Sequence, residues 1–213
     1  MAFQGTLVWL YSLAVLSFSV AQDDSSSPND CLKTDLVEEL SAKLKLAVQC
    51  SDAWSPEQTA TILQSLTNLT DTLQKQQLKD CQNAEPKNCI EAQVPENGGL
   101  ACVTVDNRRL CKPMCSHGYD FNFLRRSRLF EECSEQTSYK WQTQYVGGNK
   151  LAECNEAKVQ VSGAKTAYFP KDQSCLTTKS NRTLQRRLLE DLTTELKNLG
   201  IQGEPQNPCL VCG

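Results

Sequence analysis

The chain has 213 residues, 12 of them cysteine, and a formal net charge of −3 with 22% charged residues. So nearly balanced a charge argues against a nucleic-acid partner, which needs a concentrated basic surface. Cysteine at this density points to an oxidising compartment, where cross-links replace part of the stabilisation of a large core.

Residues 1–21 are expected to be a secretory signal peptide. Leu7 to Val20 is an apolar run containing Trp9, Leu10, Leu13, Val15, Leu16 and Phe18. Ser19-Val20-Ala21 then supplies the small residues that cleavage requires. The run is short for a membrane span, and no second one follows, so the mature chain is expected to be soluble, secreted and extracellular, with no membrane span. All twelve cysteines lie beyond Ala21. Residues 22–30 are polar and Ser-rich, which predicts a disordered lead-in.

Residues 31–85 read as an N-terminal helical segment. Leu36, Leu40 and Leu44 recur at helical spacing from Thr34 to Gln49, with Cys31 and Cys50 bracketing the stretch. A second helix has a clear start signal: Ser55 can cap, Pro56 suits the first helical position, and Gln58 completes a capping box. Its stripe is Ile62, Leu66, Leu69 and Leu73, and it is predicted to end near Lys79. Asn68-Leu69-Thr70 is a glycosylation sequon, and Asn68 projects away from that stripe.

From Pro86 the pattern changes. Val103-Thr104-Val105, Leu129-Phe130 and Gln142 to Tyr145 read as short strands between turns. Residues 156–180 read as a β-like connector, strand-like at Val159-Gln160-Val161 and Tyr168-Phe169. A third helix is predicted from about Thr183 to Leu199, carrying Leu184, Leu188, Leu192, Leu196 and Leu199 on one side, with Gly200 as a stop. Asn181-Arg182-Thr183 is a second sequon. A polar, Pro-containing tail then leads to Cys209 and Cys212.

Within residues 86–155, Cys89, Pro95-Glu96-Asn97-Gly98, Cys115-Ser116-His117-Gly118-Tyr119-Asp120-Phe121, Cys133, Trp141 and Cys154 together resemble a sushi (complement control protein) domain. Tyr139 and Ile90 stand where that family often has Gly and Pro, so the resemblance is to a divergent member. It implies an extracellular β-sandwich binding module inserted between the helices. It also implies Cys89–Cys133 and Cys115–Cys154 bonds and places Tyr119, Phe121 and Trp141 in the core. Cys102 and Cys111 remain inside the segment, flank the turn-like Asp106-Asn107-Arg108, and are expected to close a hairpin-sized loop. Cys31, Cys50 and Cys81 precede the module; Cys175, Cys209 and Cys212 follow it. Three is odd on each side, so if all six are paired at least one bond joins the two flanks, whichever of the fifteen pairings holds. The fold class expected is therefore α+β, with residues 181–213 docking on 31–85 to complete a three-helix unit.

The chemistry-bearing patterns are weak. Cys209-Leu210-Val211-Cys212 is a C-x-x-C, but no helix follows it to lower a thiol pKa, so structural half-cystines are expected. Cys111, Cys115 and His117 lack zinc-site spacing. His117 is the sole histidine and has no nucleophile-elbow motif near it. Glu131 and Glu132 are adjacent and would point to opposite faces of a strand. No enzyme, metal or cofactor is expected. Arg108, Arg109, Lys112, Arg125, Arg126 and Arg128 form a basic cluster that would suit a sulfated glycosaminoglycan or an acidic protein surface, if their loops converge. The function expected is extracellular recognition of a protein or sulfated glycan. A carrier of an apolar ligand among the helices and a structural component of an extracellular coat or matrix are the alternatives.

Overall fold

The computed structural model describes residues 34–143 and 148–213. The expected signal peptide, the lead-in, Cys31 and Tyr145 lie outside these residues. The chain divides into two compact units, Met1–Thr59 and Ala60–Gly213.

In the first unit, helix α1 (Thr34–Cys50) runs into a 3-10 turn at Ser51–Ala53. Its leucine stripe stays largely open, with Leu40 42% and Leu44 37% exposed. Cys50 is exposed and has no disulfide partner among the described residues, and Cys31 lies outside them. The other described cysteines satisfy one another in five bonds. Helix α2 (Pro56–Leu78) opens with the capping box read from its sequence. Gln58 N–H donates to Ser55 Oγ at 3.3 Å, and Ser55 N–H donates to Gln58 Oε1 at 2.9 Å.

The second unit is a mixed α and β structure. It contains strands β1 (Gly98–Val105), β2 (Arg108–Cys115), β3 (Tyr119–Phe121), β4 (Glu131–Cys133), β5 (Cys154–Glu156) and β6 (Gln206–Cys212). Helices α3 (Cys175–Ser180) and α4 (Arg182–Asn198) lie between β5 and β6. One antiparallel sheet has the order β4-β2-β1-β6, and β3 pairs with β5 in a second, two-stranded sheet. Asp106 and Asn107 both take positive φ, 47° and 56°. That makes the two-residue hairpin turn whose twist matches its strands, and it sets Val105 opposite Arg108 and Cys102 opposite Cys111. Pro113 lies in β2 beyond the reach of β4, where no ladder bond is asked of its nitrogen.

The four-stranded sheet has two covered faces. On one, Ala101, Val103, Leu110, Met114 and Leu210 pack with Leu192 and Leu196 of α4. The predicted leucine stripe of that helix thus finds its apolar partner in a sheet of its own unit, in place of the helices expected to cover it. No residue of α2 is buried, and Ile62 and Leu73 are 40% and 56% exposed. On the other face, Leu100, Cys102, Cys111, Cys209 and Val211 pack with Cys133, Trp141 and Leu151.

Two further corrections concern boundaries. The sheet is not confined to residues 86–155, because β6 comes from the tail and pairs with β1 over Gly99–Thr104. The end of α2 covers the free edge of β6: Gln77 Nε2 donates to Cys212 O at 2.7 Å and Cys212 N–H donates to Gln77 Oε1 at 3.0 Å. One side chain thereby answers the backbone groups that an edge strand leaves open. Residues 156–180 are not a β connector. Val159–Val161 is a loop, Tyr168 makes only an isolated bridge to Cys115, and Cys175–Ser180 is α3.

That loop is held by Asp120, a buried carboxylate. Asp120 accepts from Val161 N–H at 3.0 Å, from Ser162 Oγ at 2.9 Å, from Phe121 N–H at 2.9 Å and from the Tyr168 hydroxyl. Burial works to raise this carboxyl, but these donors together hold it below its usual value. Burial and the same carboxylate push the Tyr168 phenol up to about 12. Asp120→Asn is expected to cost about 2 kcal/mol at pH 7, the scale of hydrogen bonds to a charged group. A carboxyl lowered in the fold gives stability that is present above its unfolded pKa and lost as pH falls through the folded one. Urea unfolding should therefore show the gap between parent and variant closing below about pH 4.

Candidate functional site

The register of the sheet sets Cys102 between Cys111 of β2 on one side and Cys209 of β6 on the other. Cys102 is bonded to Cys111, and Cys209 to Cys81 just beyond α2. The Sγ atoms of Cys81, Cys102 and Cys209 lie within 4.8 Å of one another. All three are in disulfides, so none offers the thiolate that zinc takes.

Cys81, Cys102 and Cys111 line a cavity of ≈ 370 Å³ that is walled by residues from Leu78 to Ala92 and by Leu100, Trp141 and Val211. Trp141 is 8% exposed and donates its indole N–H to the Ile90 carbonyl at 2.7 Å, which fixes the outer wall. Cys89 is bonded to Cys133, which ties the same wall to β4. Ile90 is 65% exposed at this rim. A concave, largely apolar site with cross-linked walls is the usual form of a preformed ligand pocket.

Arg109 also lines the cavity. Its Nη1 donates to Asn207 O at 2.9 Å and to Thr104 Oγ1 at 3.3 Å, and its Nη2 to Cys209 Sγ at 2.9 Å. Burial lowers this guanidinium to about 10, so it stays charged at neutral pH.

The expected basic cluster does not form a surface patch, because most of its charges are used internally. Arg108 makes a two-pronged pair with Glu132 at 2.9 and 2.6 Å, which holds the Glu132 carboxyl below its usual value. Lys112 reaches Glu195 of α4 at 2.6 Å with its side chain 4% exposed, and burial lowers its ammonium. Arg125 and Arg128 both hold Glu131 at 2.7 Å. Burial nonetheless raises the Glu131 carboxyl against the opposing pull of both arginines. Only Arg126 is exposed, and its Nε donates to Val161 O at 2.8 Å. Sequence periodicity puts charged residues outside; here β4 and β2 carry theirs into a packed interior.

The remaining candidates are structural or spatially separate. Cys209 and Cys212 of the C-x-x-C leave β6 on opposite faces, bonded to Cys81 and Cys175. Cys115 is bonded to Cys154 and Cys111 to Cys102, so neither joins His117, which is exposed. Asn68 is exposed in mid-helix. Asn181 caps α4, its Oδ1 accepting from Thr183 and Leu184 N–H at 3.0 and 3.2 Å. That leaves Nδ2, the atom a glycan would take, outside the cap.

Sequence reasoning named Cys81, Cys89, Arg109 and Trp141 but did not bring them together. The missing signal was the strand formed by Gln206–Cys212, whose Asn-Pro step reads as a tail. No family model matches this chain, and no curated protein and no solved structure matches it. Among the described residues no helix is long and apolar enough to cross a membrane.

Proposed function

We propose that this chain is a secreted, non-enzymatic recognition protein that binds an extracellular protein partner through the cavity above the disulfide row. The observation that carries this reading is the cavity itself: a concave apolar site of ≈ 370 Å³ whose walls are held by Cys81–Cys209, Cys89–Cys133 and Cys102–Cys111. Fixed walls lose little conformational entropy when a partner's apolar side chain enters, and that saving favours affinity. The Cys89–Cys133 and Cys115–Cys154 pairs support the resemblance to a sushi module, while β6 and α4 favour an architecture that extends beyond one. Five disulfides support an extracellular setting. The two sequons, with exposed Asn68 and Asn181, support a glycoprotein. The sulfated-glycan reading loses its support once Arg108, Lys112, Arg125 and Arg128 are paired to carboxylates.

Ile90 separates binding from folding, because its side chain is exposed and only its carbonyl is used by Trp141. Oxidised protein used as bait in extracellular fluid is expected to capture a partner that Ile90→Asp fails to capture, with both baits melting at the same temperature. Equal capture by both would place recognition elsewhere and overturn the reading.

A further inference from the structure

The cavity holds a charge that no described group answers. Arg109 is 6% exposed, yet no carboxylate lies within ion-pair distance of it among the described residues. Its strand neighbours differ, since Arg108 has Glu132 and Lys112 has Glu195. All three acceptors around Arg109 are neutral: Thr104 Oγ1, Asn207 O and Cys209 Sγ. A guanidinium has five N–H donors, so Nε–H and one Nη2–H remain without a described acceptor. A buried cation lacking a counter-charge is costly, and a planar fork with open donors matches a carboxylate. The other charged residues lining the cavity are Lys87 and Glu91, one of each sign and both exposed. They offset one another and leave Arg109 as the net charge facing the site.

We propose that the cavity binds the carboxylate of a small apolar acid, with the anion on Arg109 and the apolar body against Leu78, Leu100, Trp141 and Val211. The inference rests on the cavity being the recognition site, and it names the chemistry recognised there. At ≈ 370 Å³ the site is near the small end of ligand pockets. The carboxylate can come from a free medium-chain acid or from the apolar C-terminal residue of a peptide.

Two probe pairs test this on the full oxidised protein: octanoate against octanamide, and an acetylated dipeptide ending in leucine against its C-terminal amide. Calorimetry gives the affinities, and the Trp141 indole N–H resonance, with Trp54 as internal reference, reports binding at the cavity. At least one acid is expected to shift the Trp141 signal and to bind about tenfold or more tightly than its amide, the scale of a hydrogen bond to a charged group. The tighter acid identifies the source. Arg109→Gln is expected to abolish the preference; should that variant fail to fold, the acid–amide comparison on the parent decides alone. Equal affinity for acid and amide overturns the anion assignment while leaving a recognition cavity. Binding of neither acid overturns the proposal, and the Ile90→Asp capture experiment then judges the recognition reading separately.

Discussion

Replacing Cys81 and Cys209 together with serine is expected to lower the unfolding free energy by about 4 kcal/mol, measured by guanidinium titration without reductant. The bond spans 128 residues, and the loop it closes governs the entropy it removes from the unfolded chain. Cys89–Cys133, Cys115–Cys154 and Cys175–Cys212 shorten that loop, which is why the figure lies below the value for a single bond of such span. The loss should be local as well as global. Without Cys81–Cys209, β6 is anchored at that end by its pairing with β1 and by the Arg109 hydrogen bond to Asn207 O, and hydrogen exchange at Leu210 and Val211 amides should rise more than at Val103. A stability change below about 1 kcal/mol would mean that sheet pairing, the Cys175–Cys212 bond and the Gln77 and Arg109 hydrogen bonds suffice to hold the tail.

Arg125→Ala is the second large effect, expected to cost about 3–5 kcal/mol, the range for breaking a buried ion pair from one side. Arg125 is 3% and Glu131 0% exposed at the side chain, and Arg125 also donates to Leu151 O at 3.2 Å and lies over the Phe121 ring. Arg128 would be left to answer Glu131 alone. Because the Glu131 carboxyl is raised in the fold, the native state holds that proton more tightly than the unfolded chain. Stability from this group therefore declines as pH rises through the window above the ordinary glutamate value. Losing Arg125 enlarges the rise, so the deficit should be larger at pH 7 than at pH 4. Arg126→Ala, at an exposed site, should change stability by less than about 0.5 kcal/mol. Heparin retention should be low and nearly equal for the parent and Arg126→Ala; a large drop for the variant would restore the glycan reading.

The sequence was legible where a feature is local. The Ser55 and Gln58 capping box, the Asp106-Asn107 turn and the three long helices each depend on residues a few positions apart, and helical spacing located them to within a residue or two. It was opaque where the outcome depends on distant partners. The stripe of α4 carries no record of whether a helix or a sheet will cover it, and Leu192 and Leu196 found the sheet. Gln206–Cys212 gains strand character only beside β1. Arg125 and Glu131 look like surface charges until a tertiary contact removes both from water. The cavity is assembled from residues between Leu78 and Val211, so no single stretch could announce it.

The position of β1 between β2 and β6 also bears on biogenesis. Vectorial synthesis delivers the hairpin early, whereas the strand that seals the open flank of β1 emerges about a hundred residues later. Throughout that interval Cys81 lacks its native partner Cys209, and any bond it formed to a nearer thiol such as Cys89 would be non-native. If such a bond forms, Cys81–Cys209 is reached only by thiol–disulfide exchange, and refolding yield from reduced protein should then respond to an added isomerase.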